Sequence, residues 1–473
     1  MSGLFDLKGK RVPAEVLKRV PSRVALHYHI IPVEADGDRI AVCAPEGFDP
    51  RLKDELRTVL NGQVELYPAR REAIAEAIRN HYGVAEEIVA RLLTGALSVL
   101  PDGGSAEDLA AEKDPTVTAL VNELILDALE RRATDIHLEP FDDRFSVRYR
   151  VDGLLREAGI SARLRALSPG IIARIKIMAN LDIGEKRLPQ DGRIKVRTGK
   201  RELDLRVSVL PGSSGETVVV RILGSAELLS LDALGLSPET VTVIRRSLKR
   251  PHGLILLTGP TGSGKTTTLY SILKEMNTTE RKIITVEDPV EYKMSGIVQI
   301  QVKPRIDLTF AAALRSMLRH DPDVLMVGEI RDQETAEIAI RSALTGHLVF
   351  STLHTNDAAS ALARLMEMGI PPYLIASSVE LVIGQRLVRT VCTACRGRGG
   401  ECDDCRGSGF RGREAIEEVL RVDEEVRRLI LASAPADAVR EHMRRTGERF
   451  LRDRGREKVR AGRTTAGEIE RVC

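Results

Sequence analysis

The strongest chemical signal in the sequence is a glycine-rich stretch that ends in a lysine and a threonine. Residues 259–266 read Gly-Pro-Thr-Gly-Ser-Gly-Lys-Thr and fit the phosphate-binding loop G-x-x-x-x-G-K-[ST]. An apolar run of strand length precedes the loop and a helical pattern follows it, which is the context that the motif requires. Backbone N–H groups would face an anion there, with Lys265 at the β- and γ-phosphates and Thr266 on Mg²⁺. We therefore predict a nucleoside triphosphate site formed by Gly259, Pro260, Thr261, Gly262, Ser263, Gly264, Lys265, Thr266 and Thr267.

Two apolar segments farther along the chain end in carboxylates, as strands do beside the ligand crevice of a parallel sheet. The first segment reaches Glu287 and the second reaches Glu329. The second resembles the acidic Walker B strand of P-loop enzymes, except that Gly328 stands where the simple pattern has an aspartate. Hydrolysis needs a carboxylate that organises the metal's waters or activates the attacking water. Glu329 is the first candidate for this catalytic role, and Glu287 is the competing base.

Two histidines flank a third apolar strand. His354 is surrounded in the sequence by residues with hydroxyl and amide side chains. Such polar neighbours are expected for a residue that senses the γ-phosphate. The role of His347 is less defined. The seven-residue separation of the two histidines matches no familiar metal-ligand spacing, so we predict no metal site for this pair.

Four of the six cysteines form two close pairs with the spacing C-x2-C-x6-C-x2-C, inside a module at residues 390–412. Four thiolates in two pairs suit a tetrahedral Zn²⁺, and a reducing compartment favours metal over disulfides. A site with four protein ligands has no open position, so the metal would be structural. Disulfides or free thiols are the alternative reading. The predicted zinc ligands are Cys392, Cys395, Cys402 and Cys405.

The composition is typical of a water-soluble globular protein of 473 residues, with 43% hydrophobic and 29% charged residues. The 71 basic and 68 acidic residues give a net charge of +3, so charge provides no case for nucleic acid as a main ligand. No apolar stretch approaches the roughly 18 residues of a membrane helix, and the N-terminus lacks a secretory signal pattern. We expect a cytoplasmic protein that meets a membrane only indirectly, through a partner.

Composition and periodicity divide the chain into three domains and a linker. Residues 1–83 mix short strands and helices and indicate a small docking domain without catalytic residues. Residues 84–112 have the composition of a linker. Residues 113–228 begin with an amphipathic helix and continue as alternating strands with arginines on one face, a pattern that alone is typical of a solvated surface. Residues 229–473 alternate strands and helices around the phosphate loop, which predicts a mostly parallel sheet with helices on both faces.

Taken together, these motifs resemble the type II secretion and type IV pilus assembly ATPases of bacteria. The likeness covers residues 110–473 in detail and the N-terminal domain more loosely. The combination is far more specific than the phosphate loop alone. The matching segments are the phosphate loop, the acidic segment 285–292, Gly328-Glu-Ile-Arg-Asp332, the histidine segment 346–357, three second-domain segments at 133–137, 188–193 and 206–208, and Gly409-Phe-Arg-Gly-Arg413 after the cysteines.

The resemblance implies an α/β fold: a RecA-like P-loop ATPase domain preceded by an α+β PAS-like second domain and a small α/β N-terminal domain. It also implies that Arg206 and Arg221 act catalytically by reaching the nucleotide across a domain or subunit boundary. Arg315 and Arg319 resemble further members of that set. A guanidinium supplied across an interface neutralises charge on the transferring phosphoryl group, so hydrolysis would depend on closure.

The resemblance further implies a homohexameric motor that uses ATP, Mg²⁺ and Zn²⁺ at the cytoplasmic face of the inner membrane. Its hydrolysis would power pseudopilus assembly and protein export in type II secretion, with the N-terminal domain contacting inner-membrane platform proteins. Type IV pilus extension is the alternative. A nucleic-acid motor on a similar core and a binding module regulated by a cyclic dinucleotide are weaker hypotheses, since the charge is balanced and the hydrolytic motifs are intact.

Overall fold

The computed structural model describes residues 4–82 with short gaps (6, 8–11, 22–23, 26–27 and 61), and then residues 98–100, 115–158, 162–198, 201–223 and 228–473. The chain forms two compact units, Met1–Ser225 and Ala226–Cys473. The predicted linker at 84–112 lies outside the described residues, apart from positions 98–100. In the part of the chain that is described, no helix is long and apolar enough to cross a membrane.

The first unit begins with a three-stranded sheet in the order β1-β2-β3. β1 and β2 pair antiparallel, whereas β2 and β3 pair parallel across a helix. Both faces of β2 are buried: Val42 packs in a cluster with Leu56, and Cys43 packs in a second cluster with Ile74. The elements are α1 (Ala14–Arg19), β1 (Ile31–Asp36), β2 (Arg39–Pro45), α2 (Pro50–Leu60), β3 (Gln63–Ala69) and α3 (Arg71–Tyr82).

A seven-stranded antiparallel sheet with the order β4-β8-β9-β10-β5-β6-β7 completes the first unit. Alternation along β9 buries Leu203, Leu205 and Val207 in one core with the apolar face of α4, while the intervening polar residues lie on the other face. The elements are β4 (Ser98–Leu100), α4 (Pro115–Glu130), β5 (Ala133–Pro140), β6 (Phe145–Val151), β7 (Leu154–Glu157), α5 (Ser168–Met178), β8 (Gln190–Thr198), β9 (Arg201–Gly212) and β10 (Gly215–Leu223).

The second unit is built on a sheet with the order β13-β12-β14-β15-β11-β16-β17. All neighbours are parallel except β17, which pairs antiparallel with β16 at one edge. The central strands are buried on both faces, which explains their continuous apolar runs. The strands are β11 (Gly253–Thr258), β12 (Ile283–Glu287), β13 (Val298–Gln301), β14 (Val324–Val327), β15 (Leu348–Leu353), β16 (Val379–Val391) and β17 (Phe410–Arg421).

Helices cover both faces of this sheet and form two separate cores. Helices α6 and α7 pack in one core, and helices α8 to α13 pack in the other. The parallel strands therefore all present their carboxyl ends at one edge, where the predicted site residues lie. The helices are α6 (Pro238–Ser247), α7 (Lys265–Met276), α8 (Phe310–Met317), α9 (Gln333–Leu344), α10 (Ala358–Glu367), α11 (Pro372–Ser378), α12 (Glu424–Leu431), α13 (Ala436–Arg445), α14 (Leu451–Arg460) and α15 (Ala466–Val472).

Candidate functional site

The phosphate loop connects the buried strand β11 to helix α7, as its sequence predicts. Gly264 begins the helix at φ +86°, a conformation that favours glycine, and a Cβ there would lie 2.8 Å from Gln385 Nε2. A Cβ on Gly259 would lie 2.5 Å from the Gln385 carbonyl oxygen. Both glycines are thus required by the close approach of β16. Of the other predicted residues, Ser263 and Lys265 are buried, Thr267 is half-buried, and the exposed ones are Pro260, Thr261, Gly262 and Thr266.

The ammonium group of Lys265 is held by the loop itself. Its Nζ donates to the carbonyl oxygens of Gly259 at 2.6 Å and Pro260 at 3.1 Å. Burial lowers the pKa of Lys265 to about 8, the positive charge of Arg386 acts in the same direction, and the Glu329 carboxylate opposes both. Phosphate oxygens carry negative charge and bind an ammonium more strongly than neutral carbonyls do. Lys265 is therefore placed to exchange its loop partners for a phosphate.

Glu329 lies just beyond the end of β14, where its carboxylate contacts a histidine and an arginine side chain. Nε2 of His354 lies 3.0 Å from one carboxylate oxygen, and Arg331 forms an ion pair with the other. The Gly328 N–H donates to the carbonyl of Val286 at 2.8 Å, and a Cβ at this glycine would lie 3.3 Å from that oxygen. A side chain at this position would have to displace the neighbouring strand by a few tenths of an ångström. This close contact favours the glycine that stands in place of the usual aspartate.

Glu287, at the end of the adjacent strand β12, is in a different environment. It is only 3% exposed, and both of its oxygens already accept hydrogen bonds. The hydroxyl of Tyr270 donates to Oε2, while Thr285 Oγ1 and Gln299 Nε2 donate to Oε1 at 2.5 and 3.2 Å. Burial and the Glu287 carboxylate raise the pKa of Tyr270, so that hydroxyl remains a donor. The carboxylate of Glu287 is thus enclosed, whereas that of Glu329 contacts the half-exposed His354.

The two predicted histidines lie at opposite ends of β15. His354 follows the strand on the same edge as Glu329, whereas His347 precedes it and its Nδ1 lies 3.0 Å from the Ser342 carbonyl oxygen. Six strand residues separate them by roughly 20 Å. The segment after His354 is tied to the end of β11, because the hydroxyls of Thr258 and Thr355 lie 2.5 Å apart. The structure therefore brings His354 and the phosphate loop together and leaves His347 at the far edge.

Two residues of β16 that the sequence reasoning missed also shape the site. Gln385 contacts both the phosphate loop and the helix that follows it. Its Nε2 donates to the Ser263 carbonyl at 2.9 Å, and its Oε1 accepts from the Thr268 hydroxyl at 2.8 Å. Arg386 donates to the carbonyl of Asn356, in the histidine segment, at 2.7 Å. A signal was present in the sequence. The apolar start of β16 changes to Gly-Gln-Arg, the same apolar-to-polar change that marks the two acidic strand ends.

Arg206 and Arg221 lie in the first unit, on neighbouring strands. Pairing across β8, β9, β10, β5 and β6 places Arg193, Arg206, Arg221, Asp135 and Arg150 directly opposite one another in a single row. Asp135 lies 2.9 Å from Arg221 Nε and 3.7 Å from Arg150 Nε. Directly opposed like charges repel. A row with this excess of arginine favours an anion on that face of the sheet.

Arg315 and Arg319 lie in the second unit, on and just after helix α8. Arg315 forms an ion pair with Glu334 at the start of α9. Arg319 donates to the carbonyl of Arg315 at 3.0 Å and to the hydroxyl of Ser316 at 3.3 Å. Half of the Arg315 side chain is exposed. A guanidinium in such a position can change partners without unfolding the helix.

The four clustered cysteines lie in the connection between β16 and β17, and their sulfurs are all within 4.8 Å of one another. The Sγ atoms of Cys392 and Cys402 are 3.9 Å apart, and those of Cys395 and Cys405 are 3.7 Å apart. Four sulfurs at 2.3 Å from a tetrahedral Zn²⁺ would be about 3.8 Å apart. The N–H of Gly399 donates to the sulfur of Cys395 and lowers the pKa of that thiol to about 7, which favours the thiolate. The donor set and its spacing thus fit a tetrahedral metal.

Comparison with known proteins identifies the family. The profile of the type II/IV secretion system proteins matches residues 110–471, and the profile of the MshEN domain matches residues 2–88. The chain belongs to the type II/IV secretion system protein family.

Individual members of the family are similar over most of the chain. The type II secretion system ATPase E of Vibrio cholerae is 48% identical over 388 residues, which cover 77% of this chain and 76% of the relative. The type IV pilus assembly ATPase PilB of Myxococcus xanthus is 39% identical over 498 residues, covering 98% and 88%. The crystal structure of the pilus retraction motor PilT with bound ADP is 30% identical, with a TM-score of 0.52, and covers 74% of this chain and 96% of that one. The predicted family, the α/β fold class and the classification as an ATP-hydrolysing enzyme are confirmed.

Proposed function

We propose that this chain is the ATP-hydrolysing motor of a type II secretion system. The observation that carries the proposal is the placement of Lys265 and the exposed Thr266 at the same sheet edge as the Glu329–His354 pair. A phosphate-binding cation, a metal-binding hydroxyl and a carboxylate with access to water are the groups that nucleoside triphosphate hydrolysis requires. Relatives named for type II secretion are 45–50% identical over 363–419 residues, which supports secretion. Over nearly the whole chain, a type II secretion protein of Aeromonas hydrophila and the pilus assembly relative are both 39% identical, so pilus extension is kept as the alternative.

Each group has a defined role in this proposal. Lys265 binds the β- and γ-phosphates, and the Thr266 hydroxyl holds Mg²⁺, which neutralises charge on the phosphates. Glu329 orients or activates the attacking water, and His354, hydrogen-bonded to Glu329, senses the γ-phosphate. Glu287 positions the end of β12 through its bonds to Tyr270 and its other neutral donors.

In this proposal, arginine side chains complete the nucleotide site when the domains close around the nucleotide. The arginine row of the first unit supplies Arg206 and Arg221 to the phosphates at a domain or subunit boundary. Asp135 lies 2.9 Å from Nε of Arg221, so a phosphate would compete with Asp135 for this guanidinium. Arg315 and Arg319 are available in the second unit. This competition links hydrolysis to the movement of the domain that carries the row.

The four-cysteine connection holds a structural Zn²⁺. Cys392, Cys395, Cys402 and Cys405 provide four thiolates, so the ion has no open position for catalysis. Bound by these thiolates, a zinc ion would hold the long connection at the end of the β16–β17 pair. Because Gln385 and Arg386 lie on β16, the zinc stabilises the strand that supports the phosphate loop.

The assembly implied by the family is a homohexamer at the cytoplasmic side of the inner membrane. Residues 2–88, which match the MshEN domain, form the docking domain for membrane platform proteins. Nucleotide-driven movement would reach the platform through this domain and drive pseudopilus assembly. Membrane association is thus indirect, through protein partners.

Hydrolysis by the purified full-length chain tests the catalytic part of the proposal. We expect Mg²⁺-dependent phosphate release from ATP, and a loss of roughly 100-fold or more in kcat for Lys265→Ala. Lys274→Ala, at the other end of α7, is the matched control and should retain wild-type turnover, because among the described residues its ammonium donates to the carbonyl of Leu228 and not to the phosphate loop. Equal activity of Lys265→Ala and the wild type would refute the assignment.

Deletion in the source bacterium separates secretion from pilus extension. Loss of exported proteins with normal pili is expected, and complementation by the wild type but not by Lys265→Ala should restore export. Loss of pili with normal export would establish the alternative.

Metal analysis of the purified chain should give one zinc per chain, and replacing Cys395 and Cys405 together should remove it.

A further inference from the structure

Glu418 on β17 is a buried carboxylate that joins two helices from different parts of the second unit. It is 3% exposed, and each of its oxygens accepts a backbone N–H from the first residue of a ten-residue helix. Ala358 of α10 donates to Oε1 at 2.7 Å, and Leu451 of α14 donates to Oε2 at 3.3 Å. The amino ends of helices carry partial positive charge, so both favour the carboxylate. One side chain therefore contacts the first residue of both helices.

The sheet makes room for this carboxylate. Burial raises the pKa of Glu418, which means that the ionised form is costly at this position. Gly384 is its direct partner on β16, and a Cβ on Gly384 would lie only 2.9 Å from Cγ of Glu418. An apolar side chain would fill such a site without the electrostatic cost. The glycine on β16 thus leaves the space that the Glu418 side chain occupies, and the two N–H donors offset part of the cost of burying its charge.

A second connection holds the same helix start. Asp357 caps α10 by accepting the N–H of Ser360 at 2.7 Å. Arg440 on α13 donates to the other carboxylate oxygen of Asp357 at 2.8 and 3.1 Å, and to the Ser360 hydroxyl at 2.9 Å. Helix α13 thus contacts Asp357 directly through Arg440, and helix α14 is linked to Ala358 through Glu418.

These two residues are close in sequence to the phosphate sensor. Only four peptide units separate His354, which bonds to Glu329, from Ala358, and Arg386 binds the carbonyl of Asn356 between them. Four residues span at most about 14 Å even when fully extended. A displacement of His354 toward a bound phosphate therefore cannot be absorbed over a long loop and must act on the contacts at residues 357 and 358.

We infer that Glu418 is a positioning residue that couples the His354 segment to helices α13 and α14, with Arg440 as the second link. The inference rests on the proposed function, because the signal is the presence of a γ-phosphate at His354. When the segment moves, the shared carboxylate and the arginine transmit the shift to the start of α14 and to α13. Turnover at the nucleotide site thereby changes the positions of helices α13 and α14.

Hydrogen–deuterium exchange on the full-length chain tests this coupling. The exchange is compared with Mg²⁺ and ADP, and with Mg²⁺ and a non-hydrolysable ATP analogue. In the wild type we expect the phosphate loop (259–266), the histidine segment (354–358) and the start of α14 (449–455) all to differ between the two nucleotides. In Glu418→Gln the first two differences should persist, while the difference at α14 falls by about fivefold or more, as expected when a coupling between two sites is removed.

Glu414→Gln is the matched control. Glu414 is on the same strand and binds α14 through Lys458 at 3.0 Å, yet it is not bonded to the histidine segment in the described contacts. This variant should keep the wild-type response at α14. Equal loss in both variants would mean that any weakened contact to α14 has the effect, and would overturn the specific role of Glu418.

A second variant is independent of the buried acid and of its effect on folding. Arg440→Gln alters a quarter-exposed side chain and should reduce the nucleotide-dependent difference in α13 (436–445) while the phosphate loop still responds. A full wild-type response in Glu418→Gln or in Arg440→Gln, or no response of α14 in the wild type, would refute the coupling. Absence of any change at the phosphate loop with either nucleotide would refute the proposed function itself.

Discussion

The ends of β12 and β14 lie side by side in the sheet and both carry a glutamate, yet the two carboxylates are held in opposite ways. Glu287 is enclosed, with three neutral donors on its two oxygens. Glu329 is paired with His354 and Arg331, whose side chains are 47% and 62% exposed. Similar sequence patterns thus produce one fixed acid and one acid whose partners can move.

The difference follows from the neighbouring elements and favours Glu329 over Glu287 for the proposed catalytic role. Glu287 is reached by Tyr270 of α7 and Gln299 of β13, so its oxygens are buried behind these side chains and most of their lone pairs already accept hydrogen bonds. Glu329 borders the open edge of the sheet. A base needs a free lone pair directed at water, and the exposed guanidinium of Arg331 can release one when a phosphate competes for it. The position of an acid at a strand end is therefore necessary but not sufficient for catalysis.

Of the substitutions at and around the two glutamates, Glu329→Gln should have the largest effect on ATP hydrolysis. This variant keeps the shape of the side chain but removes the charge that orients or activates water, so we expect kcat for ATP to fall by about 10²–10⁴-fold. Nucleotide affinity should change far less, because Lys265 and the loop N–H groups remain. Steady-state hydrolysis and equilibrium binding of a fluorescent ADP analogue would measure the two quantities. Normal turnover in this variant would reverse the order of the two glutamates.

A smaller effect, of a different kind, is expected for Glu287→Gln. An amide nitrogen cannot accept a hydrogen bond, so one of the buried donors around this residue loses its partner, at a cost of about 1–3 kcal/mol. In a unit of this size that corresponds to a thermal midpoint lower by roughly 2–4 °C per kcal/mol. Differential scanning fluorimetry with and without nucleotide would record the shift. A catalytic loss as large as that of Glu329→Gln, with an unchanged midpoint, would contradict the comparison.

Much of this site could be predicted from the sequence because its parts are local. The phosphate loop, the two acidic strand ends and His354 each lie within a few residues of an apolar strand, and a parallel sheet brings such ends together whatever the loops between them do. The paired cysteines are local in the same sense. A sequence pattern therefore predicted which residues share an edge.

What the sequence did not reveal depends on contacts between distant segments. Nothing near Glu287 indicates that Gln299 and Tyr270 will enclose it, since one comes from another strand and the other from a helix that starts at the phosphate loop. Gln385 supports that loop from more than 100 residues away. The meaning of Gly328 also required the structure, because the reason for a glycine there is the backbone of β12. These are tertiary contacts, which periodicity does not encode.

Nucleotide affinity should depend on pH through the charge of Lys265, which provides a second way to compare the two glutamates. The pKa of Lys265 in the folded chain, about 8, is below the ordinary lysine value because burial destabilises the ammonium. Burying the ammonium therefore lowers the stability of the fold below about pH 8, and this loss of stability disappears as the pH rises toward the pKa of lysine in the unfolded chain. A bound phosphate favours the ammonium, so binding should take up a proton near pH 8 and weaken above it by up to about tenfold per pH unit. Calorimetry in buffers of different ionisation enthalpy would count the proton.

The two glutamates should differ in this measurement as well. The carboxylate of Glu329 raises the pKa of Lys265, so Glu329→Gln should move the onset of weakening to lower pH. Glu287→Gln should leave the onset where it is in the wild type. Equal shifts in both variants would show that the charge of Glu329 has no special relation to the phosphate-binding lysine.

The smallest effect is expected for Tyr270→Phe, which removes one donor from Glu287 and keeps the ring. Burial and the carboxylate both raise the pKa of this tyrosine, so the hydroxyl donates at every pH at which the protein is handled. Its loss should cost about 1 kcal/mol, a fall of roughly 2–4 °C in the thermal midpoint, with no change in kcat. Scanning fluorimetry and the hydrolysis assay on the same preparation would separate the two. If turnover fell tenfold or more while the midpoint held, the Tyr270–Glu287 pair would belong to the chemistry, and the enclosed carboxylate would have to open during the cycle.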